Sequence, residues 1–176
     1  LYNRKIWITL SENIKHIENM KTIKRIALVA HDNCKQELLD WVKCHWNELI
    51  RYELVCTGTT GNLVEDMLQK RMDANGDDFR LNITKLKSGP LGGDQQLGAA
   101  ICNAEIDALF FFWDAMEPQP HDVDIKALLR IATLYNIIYA CSRSTADLII
   151  TSPFFSNGFH FGKNEQIDKY KNRILQ

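Results

Sequence analysis

Short apolar runs rich in β-branched and aromatic residues alternate with stretches of helical periodicity along most of the chain. Runs at 25–30, 53–56, 81–86, 108–113 and 137–140 predict five strands. Apolar residues recur every three or four positions over 35–49, 62–71, 95–105, 123–135, 144–149 and 164–175, which predicts helices there. Within 95–105, for example, Leu97, Ala100 and Ile101 share one face. Strands and helices that alternate in this way build a parallel sheet covered by helices, not a sandwich or a bundle. The run Phe110-Phe-Phe-Trp113 shows no alternation, as expected of a central strand buried on both faces. The expected fold is a single-domain, three-layer α/β structure with a mainly parallel central sheet of about five strands flanked by helices.

A chain of 176 residues suffices for one domain with a substantial core, and no linker-like shift in composition divides it. We expect the domain to span 21–176 and residues 1–20 to be an N-terminal extension, poorly ordered or contributed by upstream sequence. The reason is that Leu1 is not a start methionine whereas Met20 directly precedes the first strand. Twenty-one basic residues nearly balance 22 acidic ones, so a strongly basic surface for nucleic acid or anionic membrane is not expected. The local excess of Arg4, Lys5, Lys15, Lys21, Lys24 and Arg25 reads as a solvated tail. Five scattered cysteines without C-x-x-C spacing read as free thiols in a reducing compartment. With no apolar stretch of membrane-spanning length and no secretory signal pattern, the expected location is cytoplasmic. The polar stretch 70–80, centred on Asn75-Gly76, predicts a surface loop; it fails as a calcium loop because Asp78 stands where an EF-hand needs glycine.

Polar and glycine residues cluster after the predicted strands: His31-Asp32, Thr57-Gly-Thr-Thr-Gly61, Ser88 to Asp94, and Asp114. Ligands of open α/β sheets bind along that edge, so these segments are candidates to converge on one crevice. In Ser88-Gly-Pro-Leu-Gly-Gly-Asp-Gln-Gln96 the glycines let backbone N–H groups approach an anion. Asp94 stands there at a helix start, either as a cap or as a proton acceptor. Thr57 to Thr60 offer hydroxyls and amides to phosphate oxygens, with Thr59 or Thr60 as an ordinary cap the alternative. Lys35 sits in a first helical turn, unfavourable for a cation unless an anion is near. Neither G-x-G-x-x-G nor G-x-x-x-x-G-K-[ST] occurs, which disfavours a dinucleotide or a nucleoside triphosphate. His31, Asp114, His121, Asp122 and Asp124 are a conceivable zinc or iron set, without a paired-helix spacing such as H-E-x-x-H. Asp122, just after Pro120, also reads as a helix cap.

Taken together, Ile26 to Gln36, Thr57 to Leu63, Ser88 to Ala99, Phe111-Phe-Trp-Asp114 and Pro120 to Arg130 are similar to the methylglyoxal synthase family. That family converts dihydroxyacetone phosphate to methylglyoxal and inorganic phosphate without metal or organic cofactor, typically as a phosphate-inhibited homohexamer. The resemblance implies that Asp94 is the catalytic base. It implies that His31, Lys35, Thr57, Gly58, Thr59, Thr60, Ser88, Gly89 and His121 contact the substrate. It also places Asp32 and Asp124 among the acidic residues of the catalytic set, and brings Arg173 to the substrate phosphate or to Asp32. His121 suits a role as hydrogen-bond donor to an enediolate oxygen. Two departures stand out: the extension at 1–20, and a segment between Asn62 and Lys87 that looks about ten residues longer than the family norm. Two other readings stay open, a non-catalytic effector-binding module of the same fold and a metal-dependent hydrolase or lyase.

Overall fold

The structure is a computed structural model that describes residues 24–76, 80–118, 122–158 and 165–173. The expected extension at 1–20 lies outside the described residues. Five strands form one sheet: β1 (Arg25–Ala30), β2 (Glu53–Thr57), β3 (Ile83–Leu86), β4 (Ala108–Phe112) and β5 (Ile138–Ala140). Their order is β3-β2-β1-β4-β5 and every pairing is parallel. The helices are α1 (Lys35–Leu49), α2 (Gly58–Asn75), α3 (Gly93–Cys102), α4 (Asp122–Leu134), α5 (Arg143–Ile150), α6 (Pro153–Asn157) and α7 (Glu165–Arg173).

The twofold alternation of side chains along β1 separates two cores. Ile26, Leu28 and Ala30 point into one, with Leu38 and Trp41 of α1, Val64 and Leu68 of α2 and Ala146 of α5. Ala27 and Val29 point into the other, with Leu97 and Ile101 of α3 and Ile125 and Leu128 of α4. The expected three layers are therefore present, and β4 is buried at every position. Trp41 packs at 4.9 Å from Phe110 and 5.7 Å from Phe112, ring centre to ring centre, which fastens α1 to the middle of the sheet. Burial of each such large side chain contributes about 2 to 3 kcal/mol.

The chain crosses the sheet outward through β1, β2 and β3, then returns to place β4 beside β1. Chain segments leaving β1 and β4 consequently part to opposite faces and open a crevice beyond their carboxyl ends, where ligands of such sheets bind.

One expectation is corrected. Residues 70–75 are helical rather than a loop, because α2 starts at Gly58 and runs to Asn75. Val64, Leu68 and Met72 bury one face at a spacing of four, and the polar residues that looked like loop are its solvent face. Asn75-Gly76 ends this helix, with Gly76 in the left-handed cap position.

Candidate active site

Ten of the residues singled out in the sequence line one cavity of about 370 Å³ at the carboxyl edge of the sheet. From the end of β1 come His31, Asp32 and Lys35; from β2, Thr57, Gly58, Thr59 and Thr60; from β3, Ser88, Gly89 and Asp94. Val29, Ala30, Pro90 and Phe111 complete the wall. Pro90 belongs to the glycine-rich stretch after β3, whereas Val29, Ala30 and Phe111 look like core in the sequence; their place near the carboxyl ends of β1 and β4 is the only signal that could have found them.

The cavity floor is set by close approach between two loops. Gly58, at φ +46°, leads into α2, and a Cβ there would stand 2.8 Å from both Cα and Cβ of Ser88. Its N–H donates to the Lys87 carbonyl at 3.1 Å, so the start of α2 and the end of β3 are stitched together. First-turn amides of an α-helix have no acceptor within the helix, and Thr59 and Thr60 supply such amides to the cavity. The positive end of an 18-residue helix therefore faces the same space as their hydroxyls.

Beyond β3 the chain makes a 3-10 turn, Gly89–Leu91, before α3. The Ser88 carbonyl accepts from Leu91 N at 3.0 Å and Gly93 N at 2.9 Å, and Gln96 Oε1 accepts from Lys87 N at 2.9 Å. At Gly93 a Cβ would lie 2.1 Å from the Lys87 oxygen, so this crossing admits glycine alone. Gly92 occupies the cap position of α3, which leaves Asp94 inside the first turn, 4% exposed and facing the cavity. Of the two uses open to Asp94 in the sequence, helix cap or proton acceptor, the first falls to Gly92 instead.

Asp32 is different in kind. It is 92% exposed at the side chain, and its Oδ1 accepts from Lys35 Nζ at 2.6 Å. The Lys35 hydrogen bond, more than the Lys35 charge, holds the Asp32 carboxyl below its ordinary range. Lys35 also donates to the Thr59 hydroxyl, so the one ammonium bridges the β1 and β2 loops. An anion entering the cavity meets this cation together with the α2 amides.

His31 is buried in the wall. Its main-chain N–H donates to the Phe112 carbonyl at 3.1 Å, its ring stands edge-on to Phe111, and its Nδ1 accepts from the Asp114 main-chain N–H at 3.2 Å.

Three predicted site residues are not among the lining residues. His121 lies outside the described residues. Asp124 is half-buried in the first turn of α4. Arg173 is exposed near the end of α7. As for the alternative metal set, among the described residues no three His, Cys, Asp or Glu side chains gather to hold an ion. No helix among them is long and apolar enough to cross a membrane.

Comparison with known proteins bears directly on this arrangement. The model of the MGS-like domain matches residues 37–141. A methylglyoxal synthase from Maridesulfovibrio salexigens is 55% identical over 159 residues, covering 89% of this chain and 100% of the relative. One from Coxiella burnetii is 49% identical over 154 residues, covering 88% and 99% respectively. A crystal structure of methylglyoxal synthase from Elizabethkingia anophelis superposes with a TM-score of 0.66 at 46% identity, over 76% of this chain and 81% of that one.

Proposed function

Because this chain belongs to the methylglyoxal synthase family, we propose that it converts dihydroxyacetone phosphate to methylglyoxal and inorganic phosphate, with Asp94 as the base. The observation that carries the reading is a buried carboxylate facing the same small cavity as a lysine and the amino end of a long helix. Such a pairing puts a proton acceptor and an anion cradle within one three-carbon substrate.

Asp94 takes a proton from the hydroxymethyl carbon beside the ketone, and the C–H electron pair becomes the carbon-carbon double bond of an enediolate. Charge that builds on the former ketone oxygen needs hydrogen-bond donors; His31 and His121 are the side chains suited to supply them. The hydroxyl on the deprotonated carbon then gives up its proton and becomes the aldehyde carbonyl, the enediolate double bond shifts to the third carbon, and the bridging C–O bond there breaks as phosphate leaves with its electron pair. The resulting enolate takes a proton at that carbon, which becomes the methyl group, and its oxygen returns to the ketone of methylglyoxal. An isomerase can run the first step with the same residue types, so the orientation of the phosphate decides the product. Lys35, Thr57 to Thr60 and Ser88 hold the phosphate so that the breaking bond lies perpendicular to the enediolate plane. There its orbital overlaps the π system; held in the plane it would not.

Asp32 keeps Lys35 in place, Asp124 and Arg173 complete the site, and the active form is a cytoplasmic homohexamer inhibited by its phosphate product. Family membership supports these last assignments. The test is to incubate the purified protein with dihydroxyacetone phosphate and EDTA and to measure both products. Equal amounts of methylglyoxal and phosphate are expected. Phosphate without methylglyoxal would identify a phosphatase, neither product a binding module, and activity lost to the chelator a metal enzyme.

A further inference from the structure

Beside the cavity, a run of hydrogen bonds joins the β1 and β4 loops and takes no part in the steps above. The Asn33 side-chain amide donates to Asp114 Oδ2 at 2.9 Å and to the Glu117 carboxylate. Asp114 Oδ1 accepts from Met116 N at 2.9 Å and Glu117 N at 3.2 Å, closing residues 114–117 into a turn around that side chain. The Asn33 hydrogen bond is the largest reason, and the Met116 amide the next, that the Asp114 carboxyl stays below its ordinary range. So fixed, the turn directs the Asp114 main-chain N–H at His31 Nδ1, 3.2 Å away.

A main-chain amide can only donate. Nδ1 must therefore present its lone pair, and the proton of the neutral imidazole sits on Nε2. Asp114 is not itself part of the cavity wall, whereas His31 is. We propose that Asp114, strapped by Asn33, is a positioning residue whose amide fixes His31 as the Nε2–H tautomer, a hydrogen-bond donor to a substrate oxygen. Without the strap the 114–117 turn loosens, and the ring is free to flip or to exchange its proton to Nδ1. The inference rests on the proposed reading of the site for what His31 binds, but the tautomer itself does not depend on it.

The experiment uses the full chain with 15N-labelled histidine rings at about pH 8, where an unperturbed imidazole is neutral, and assigns the His31 signals by their loss in His31→Asn. In the wild type, Nδ1 is expected to show the shift of a bare nitrogen and Nε2 that of a protonated one. Asn33→Ala and Asp114→Ala should move both signals toward the average of two tautomers and raise KM for dihydroxyacetone phosphate about tenfold, the worth of one well-placed hydrogen bond. Asp114→Asn keeps an acceptor for the turn amides and should stay within about threefold of wild type. His31→Gln, which can put an amide nitrogen where Nε2 was, should retain more affinity than His31→Asn. If Asp114→Ala does not fold, Asn33→Ala, altered at an exposed side chain, carries the same readouts. A proton on Nδ1 in the wild type, or strap variants with unchanged ring spectra, would overturn the proposal. A wild type that makes no methylglyoxal would instead overturn the proposed reaction and leave the ring spectrum to judge the tautomer.

Discussion

Two buried aspartates sit at opposite edges of the same sheet, Asp107 at the amino edge and Asp94 at the carboxyl edge, with relative exposures of 5% and 4%. By burial alone they are equivalent. Asp107 Oδ2 accepts from the main-chain N–H groups of Lys24 at 2.8 Å and Arg25 at 3.0 Å, while the Arg25 side chain pairs with Glu53 and lies 3.9 Å from Glu105. At that edge polar groups are directed at one another, and the cluster ties the start of β1 to the start of β4. Asp94, in contrast, shares a space of about 370 Å³ with Lys35, Ser88 and the first turn of α2. Glycines hold the backbone of its loop tight and leave the room beyond it open. A buried carboxylate thus signals chemistry when the polar groups around it converge on a space, and structure when they converge on each other.

Substitutions can break this contrast. Asp94→Asn keeps the shape but cannot accept the proton; kcat should fall by about 10³-fold or more, with KM and the urea midpoint nearly unchanged. A small loss of kcat would place the two aspartates in one class. Gly93→Ala should lower stability by about 2 to 3 kcal/mol, as overpacking does, and reduce kcat as well, because the intruding Cβ displaces Lys87 and with it Ser88. Urea unfolding and steady-state kinetics on one preparation measure both. Asp107→Ala should cost about 2 kcal/mol by stranding two amides, yet leave kcat per folded molecule intact; a change in kcat would show that the amino edge reaches the chemistry.

The smallest effect concerns Cys56 on β2, where burial pushes the thiol up to about 12. The thiolate is the reactive form, so near neutral pH this group is almost wholly protonated. Exposed Cys44 and Cys102 should react with a thiol reagent at once, and Cys56 only when the protein unfolds. Early modification of Cys56, read by peptide mass, would mean that β2 opens readily beneath the site.

The sheet was legible because the apolar runs are dense and the helical periodicity between them is regular; β1 appears over the residues expected of it, 25–30. The gathering of ten candidate residues around one cavity was legible for the same reason: once strand ends are known, the polar residues that follow them must share an edge. Less was legible where a feature depends on what a segment packs against. The turns of α2 near Lys70 read as loop, since their polar face dominates the local composition and only Met72 marks the buried side. Phe111 looked like pure core, and its ring edge against His31 belongs to tertiary structure alone. The Asn33 to Asp114 bond joins residues 81 positions apart, a pairing no local pattern encodes.

The close approach of Gly58 to Ser88 has a bearing on engineering. The loop that would grip phosphate and the loop that carries the acid are in register along a seam too tight for a methyl group, so neither can be exchanged for a homologous loop of another shape without the other. Acceptance of a bulkier sugar phosphate would have to come from trimming the apolar wall at Val29, Pro90 and Phe111, with the seam left untouched.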